Sequence, residues 1–209
     1  MSIPCKRTKL KYISMFLVGV CTASISAMLH ADWSIKGLGN LGGSGSTVSA
    51  MNDSGQIAGN FIINDNYQAV ITGPNGMGTT EIGTLGGDYS FARAINNSGQ
   101  VAGRSPITTD DFDSIFSHAF ITGSDGKNIT DVGNVGVNGE VFSINDSGQI
   151  VGDLDLLNVN GFHAFITGSN GIGITDLGTL GGVHSSATGI NNSGQVVGWA
   201  QTGNSGCSS

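Results

Sequence analysis

Cysteine, proline and positive charge are all scarce: the 209 residues hold 3 Cys, 3 Pro and 8 Lys+Arg against 15 Asp+Glu. Cys5 and Cys21 fall in an N-terminal stretch that reads as a leader, which leaves Cys207. One thiol closes no internal disulfide; it can pair only between chains, and an ordinary thiol in a tail is the plainer reading. Proline is too sparse, and composition too even, to mark a linker, so residues 32–209 read as one domain with a sizeable core. Lys6, Arg7, Lys9 and Lys11 also belong to the leader. Without them, Lys36, Arg93, Arg104 and Lys127 face all 15 acids. That surface repels a phosphate backbone and anionic lipid, which argues against nucleic-acid binding and against membrane binding after leader removal.

The leader covers residues 1–31. Its cations precede a mostly apolar stretch, Tyr12–Ala27, and small residues follow, the layout of a secretory signal peptide cut after Ala27 or Ala31. An uncleaved membrane anchor is the alternative, and a lipidated Cys21 a further one.

Beyond the leader one stretch returns four times: an aliphatic residue, Asn-x-Ser-Gly-Gln, two apolar residues and Gly. Its Asn stands at 52, 96, 145 and 191, in steps of 44, 49 and 46 residues, a period that marks a repeat architecture. Asn opens type I turns and Gly supplies the left-handed position of a bulged hairpin loop, so each copy predicts a tight hairpin. Flanking segments such as Val48–Met51 and Ala92–Ile95 alternate as strands do, with a freely varying slot between two small or aliphatic ones. A third strand follows at Gln68–Gly73, His118–Gly123 and His163–Gly168, apolar enough to be covered on both faces, and a fourth near Glu81, Asp131 and Asp176. Glycine, 35 of 209, sits at fixed repeat slots and so marks turns and close strand approaches rather than disorder.

The predicted fold is all-β: repeats of four-stranded antiparallel units, propeller-like and incomplete or open, with a β-solenoid as the alternative. The units lie near 38–81, 82–131 and 132–176, with a partial one at 177–209 whose third strand is missing; Trp33–Gly39 resembles a lone fourth strand. Such a chain would be a shortened member of a longer array with an exposed C-terminal edge, prone to self-association. The order LGTLGG, GINNSGQVVG, HAFITG, ITDLG resembles the HAF repeat family of extracellular bacterial proteins over about Trp33–Gly198. Gln68-Ala69-Val70 departs from His-Ala-Phe in the first repeat, and Val135-Gly136-Val137 from Leu-Gly-Gly in the third. The resemblance implies an extracellular, cell-surface or periplasmic setting and a β-rich repeat fold. It brings no reaction and no site residues.

The residues themselves point to no catalytic, cofactor or metal site. Asp110, Asp111 and Asp113 form an acidic loop without the spacing of a calcium loop, and Asp153 with Asp155 does no better. His118 and His163 recur at one repeat slot, with Gln68 in that place in the first repeat, which suits a structural hydrogen bond. His184 stands alone. Of five Asn-x-Ser/Thr matches, Asn52, Asn96, Asn145 and Asn191 are the hairpin turns and Asn128 is the fifth; the turns have their own explanation. Leu85-Gly86-Gly87 lacks the context of a phosphate loop. The variable loops at about 60–66, 104–117 and 153–161 are where a repeat scaffold carries binding.

These features predict a secreted, non-enzymatic β-repeat scaffold binding a macromolecule or surface glycan. A propeller-type extracellular carbohydrate-active enzyme and a structural assembly module are the alternatives. Such an enzyme needs carboxylates at non-equivalent positions; Glu81, Asp131 and Asp176 are repeat-equivalent, and Glu140 alone breaks the pattern. N-terminal sequencing of exported protein is expected to start near Met28 or Asp32. Recovery of intact Met1 in membranes would contradict the cleaved leader.

Overall fold

The computed structural model describes residues 45–63, 65–108, 116–137, 139–156 and 161–203, all within the compact unit Asn40–Ser209. The leader, Trp33–Gly39, Asp110, Asp111, Asp113 and Cys207 lie outside the described residues. Among the described residues no helix is long and apolar enough to cross a membrane.

The fold is all-β and antiparallel. Strands β1 (Ser46–Met51), β2 (Ile57–Ile63), β3 (Asn66–Thr72) and β4 (Thr79–Glu81) form the first sheet in that order. β5 (Phe91–Ile95), β6 (Val101–Pro106), β7 (Ser117–Ile121) and β8 (Thr130–Gly136) form the second. β9 (Glu140–Ile144), β10 (Ile150–Leu156), β11 (Gly161–Thr167) and β12 (Ile174–Asp176) form the third. β13 (Gly181–Ile190) and β14 (Val196–Thr202) pair as a two-stranded fourth. Among the described residues no sheet closes into a barrel, which agrees with an open, propeller-like array. The strands reach further into the variable segments than the sequence suggests. Asn60–Ile63, Arg104–Pro106 and Asp153–Leu156 are strand rather than loop, because β3, β7 and β11 extend to pair with them.

Each Asn-x-Ser-Gly-Gln copy is a hairpin whose Gly takes the left-handed region: Gly55, Gly99, Gly148 and Gly194 have φ of 70–78°. Asn Oδ1 accepts the backbone N–H of Gln at 2.9–3.0 Å in all four copies. One Nδ2 hydrogen goes to that Gln's Oε1 at 2.7–2.8 Å. The other leaves the unit. Asn52 donates to the carbonyl of Asn96 (3.0 Å), Asn96 to that of Asn145 (3.0 Å) and Asn145 to that of Asn191 (3.1 Å). One side chain thus closes its own turn and ties it to the next. Asn52, Asn96 and Asn145 are buried by this.

A second row runs beside the first through the neighbouring residue. The backbone N–H of Asp53, Asn97 and Asp146 donates to the side-chain oxygen of Asn97, Asp146 and Asn192 at 2.9–3.0 Å. Asn97 and Asn192 return an Nδ2 bond to Asp53 and Asp146 at 2.7–2.8 Å. Acid and amide alternate, so each donor meets an acceptor.

Every first hairpin also carries a β-bulge, leaving Ser49, Arg93, Phe142 and Thr188 unpaired. A bulge re-aims its side chain. In the first two units the slot that varied freely in sequence is the residue turned towards the following unit: Ser49 Oγ donates to the Ala92 carbonyl and Arg93 reaches Glu140. Opposite each bulge stands Gly59, Gly103, Gly152 or Gly198, where an added Cβ would overlap the carbonyl of Thr47, Phe91, Glu140 or Ser186. Phe120 and Phe165 press on Gly103 and Gly152 from the other side, each fully buried. The core lies between sheets. Ala58, Ala69, Ile71 and Ile82 of the first unit pack with Ala92, Ile95, Val101 and Phe120 of the second. Thr72, Thr122 and Thr167, buried at the ends of the third strands, accept the N–H of Ile57, Val101 and Ile150 at 2.9 Å.

Replacing Asn96 by Asp keeps Oδ1 but loses both Nδ2 hydrogens beside the Asn145 carbonyl and Gln100 Oε1. The expected cost is about 2–4 kcal/mol. Asn191→Asp, at an exposed turn with no following unit among the described residues, is expected to cost under about 1 kcal/mol. Chemical denaturation of the two variants checks the difference.

Candidate functional site

Repeat symmetry breaks most sharply between the first three units, at the end away from the hairpins. Slot by slot, Phe91, Glu140 and Ser186 are equivalent, as are Ser49, Arg93, Phe142 and Thr188, and Asn60, Arg104, Asp153 and Trp199. Strand register places the varied members of adjacent units side by side.

Glu140, at the start of β9, takes Arg93 in a two-pronged pair: Nε to Oε2 at 2.9 Å and Nη2 to Oε1 at 2.8 Å. Arg104 Nε lies 2.9 Å from the same Oε1 but off the hydrogen-bonding direction, so that contact is one of charge alone. Arg104 Nη1 donates to Ser117 Oγ at 3.2 Å. Both guanidiniums approach the Phe91 ring, at 5.5 and 5.2 Å from its centroid, within reach of a cation–π interaction. Tyr67 and Tyr89 tilt against Phe91 at 5.0 and 5.5 Å. Asn60 holds the neighbouring strand, accepting from Ala92 N–H at 2.7 Å. Thr47, Val48, Ser49, Asn60, Tyr67, Phe91 and Arg93 border an open groove of about 510 Å³. Two of the four cations outside the leader gather here, on an otherwise acidic chain.

Asp153 lies across the β9–β10 pair from Glu140. Burial pushes its carboxyl above the usual range; a hydrogen bond with Ser186 opposes this and the charge of Glu140 adds to it. Its Oδ1 is buried without a hydrogen-bond partner. Asp153 and Asp155 sit on β10, and among the described residues no group of three His, Cys, Asp or Glu could hold a metal ion.

The recurring histidines are placed by their strands rather than by this groove. His118 Nδ1 lies 2.9 Å from the Asp131 carboxylate, and His163 Nδ1 2.9–3.0 Å from that of Asp176. Each carboxylate also caps a glycine N–H, of Gly133 or Gly178. Gln68 instead donates to the Asp88 carbonyl at 3.1 Å. His184 accepts from Phe162 N–H and stacks on Phe162, which meets Trp199 edge-on at 5.9 Å. A smaller aromatic group thus recurs at the last seam.

Tyr67, Phe91, Arg93 and Arg104 did not stand out in the sequence. The available signal was the set of slots that differ between repeats while their neighbours stay fixed, together with two scarce arginines falling in such slots. No family model matches the chain, and no curated protein matches it.

A raised carboxyl makes the fold prefer protonated Asp153. Its contribution to stability is complete below the unfolded value near 3.8 and is lost as pH rises from there through the raised folded value. Asp153→Asn is therefore expected to raise the melting temperature at neutral pH, with the gain shrinking as pH falls towards 4. Paired thermal melts across that range check it.

Proposed function

We propose that the chain is a secreted, non-enzymatic β-repeat scaffold that binds a surface glycan in the groove bordered by Tyr67, Phe91 and Arg93. The carrying observation is that groove: an exposed tyrosine beside a phenylalanine, with amide, hydroxyl and guanidinium groups around them. Aromatic faces offer the apolar platform that the C–H face of a sugar ring covers, and a few convergent polar groups fix orientation. The Ser49 and Thr47 hydroxyls supply both donors and acceptors for sugar hydroxyls, with buried Asn60 holding the strands beneath them. Arg93, about a third exposed, still has N–H groups turned outward beyond its bond to Glu140. The leader and the resemblance to HAF repeats support the extracellular setting.

The carbohydrate-active enzyme reading has one observation in its favour, the proton-favouring Asp153 across from Glu140. Glycosidases need two carboxylates free to flank the scissile bond. Here Glu140 is occupied by Arg93 and Arg104, and the unpartnered oxygen of Asp153 is shut from solvent. Binding without turnover is the better account.

Calorimetric titration with neutral and uronic-acid oligosaccharides tests this. At least one class is expected to bind, and Phe91→Ala and Tyr67→Ala are each expected to weaken it about tenfold or more, equivalent to about 1.4 kcal/mol. Absence of binding across the panel, or release of reducing ends from a bound oligosaccharide, would contradict the proposal.

A further inference from the structure

The inner seams define what the two outermost faces of the array lack. Slot equivalence makes Val197 of β14 the counterpart of Ala58, Ala102 and Val151, each 0% exposed, yet Val197 is 66% exposed. Val48 of β1 is the counterpart of Ala92, Val141 and Ala187, at most 1% exposed, yet it is 56% exposed. Met51 is 68% exposed where Ile95 and Ile144 are 9% and 8%. Trp199 stands open where Asn60 and Asp153 are buried. In each inner seam the first strand of one unit covers the second strand of the unit before it. The β13–β14 face therefore has the shape of a seam without its covering strand. The β1 face has the shape of a covering strand without a seam.

The hydrogen-bond rows are unfinished in the same complementary way. Asn191 Nδ2 donates to Gln195 alone among the described residues, where the three earlier Asn also reach the next carbonyl. Among the described residues the Asn52 carbonyl accepts only the Gly55 N–H, where those of Asn96, Asn145 and Asn191 also take an Nδ2 bond. In the second row, again among the described residues, Asn192 N–H meets no acceptor like that of Asp146 N–H, and Asp53 Oδ1 no donor like that of Asp146 Oδ1. The order Asp53, Asn97, Asp146, Asn192 leaves an amide at one end and an acid at the other.

We propose that a second copy of this chain docks head to tail, its β1 face on the β13–β14 face of the first. Val48 of the second copy then covers the slot beside Val197 and Trp199. Asn191 Nδ2 reaches the Asn52 carbonyl, and Asn192 N–H reaches Asp53 Oδ1, so acid and amide keep alternating across the junction. A symmetric pairing of two β1 faces would instead set Asp53 against Asp53, and one of two β13–β14 faces would set donor against donor. The head-to-tail contact is heterologous, and its rotation decides whether copies close a ring or grow.

Sedimentation of the full chain over a rising concentration series is the test, with Val48→Arg and Val197→Arg as single variants. The wild-type protein is expected at twice the mass of one chain or more. Each variant alone is expected to be monomeric, with a melting temperature near that of the isolated wild-type monomer because both side chains are exposed. Their equimolar mixture is expected to form a capped pair, because each variant retains the face that the other has lost. A monomeric wild type at all concentrations would overturn the proposal whatever the variants do. So would association abolished by only one of the two substitutions and not rescued by mixing, which marks a symmetric or unrelated interface. Oligosaccharide binding by Val197→Arg is a separate readout, because Val197 lies outside the groove, whereas Val48 borders it beside Tyr67 and Phe91.

Discussion

The side-chain amide of the repeated asparagine is the interaction on which the other features depend. Its oxygen takes the Gln N–H that shapes the hairpin, and its two hydrogens go to the Gln side chain and to the next unit's carbonyl. No other side chain of that size offers an acceptor and two donors in one plane. Asp would lose the donors, and Ser lacks the reach for both directions. A donor that fixes the turn and couples units together accounts for a motif that stays the same while most surrounding slots drift. Net worth per bond is modest, about 0.5–1.5 kcal/mol, but a buried amide left unpaired costs more, about 1–3 kcal/mol. The row is therefore secured more by what it costs to break than by what it gains when formed.

With the turns locked, the bulge residue and its neighbours are free to vary, and function is written there. Glycine opposite each bulge lets the strands approach, and the bulge turns one side chain towards the following unit. At the first seam that side chain is Ser49, and Ser49 of β1 and Asn60 of β2 both bond the backbone of Ala92 on β5. At the second it is Arg93, held against Glu140 and under the influence of Phe91. At the third the bulge residue Phe142 stays 42% exposed, and the contact is carried by Asp153 and Ser186. A single scaffold thus presents chemically different seams without altering its turns.

Fold class, hairpin positions and strand order were legible because they rest on local chemistry that repeats: Asn and Gly in the turn, apolar runs in the strands. The bulge was not. A strand with one extra residue keeps almost the same alternation, and the freely varying slot at Ser49, Arg93, Phe142 and Thr188 looked like a loosely packed face. The Asn-to-carbonyl bonds between units were equally hidden, since a side chain bonding its own turn and one bonding the next unit call for the same residue. The groove was least legible. Tyr67 lies on β3 while Phe91 and Arg93 lie on β5 of the next unit, and only packing across the seam brings them together. Glu140 was visible as the acid out of pattern, but its two arginine partners required the strand register.

Protection of the side-chain amides is the most direct measure of the central claim. In hydrogen-exchange NMR, the Nδ2 hydrogens of Asn52, Asn96 and Asn145 are expected to exchange at least tenfold more slowly than those of an exposed asparagine such as Asn66, with all three slowed to a similar degree because they occupy equivalent bonds. Exchange of the Asn96 side chain as fast as that of Asn66 would show that the row does not hold the units together.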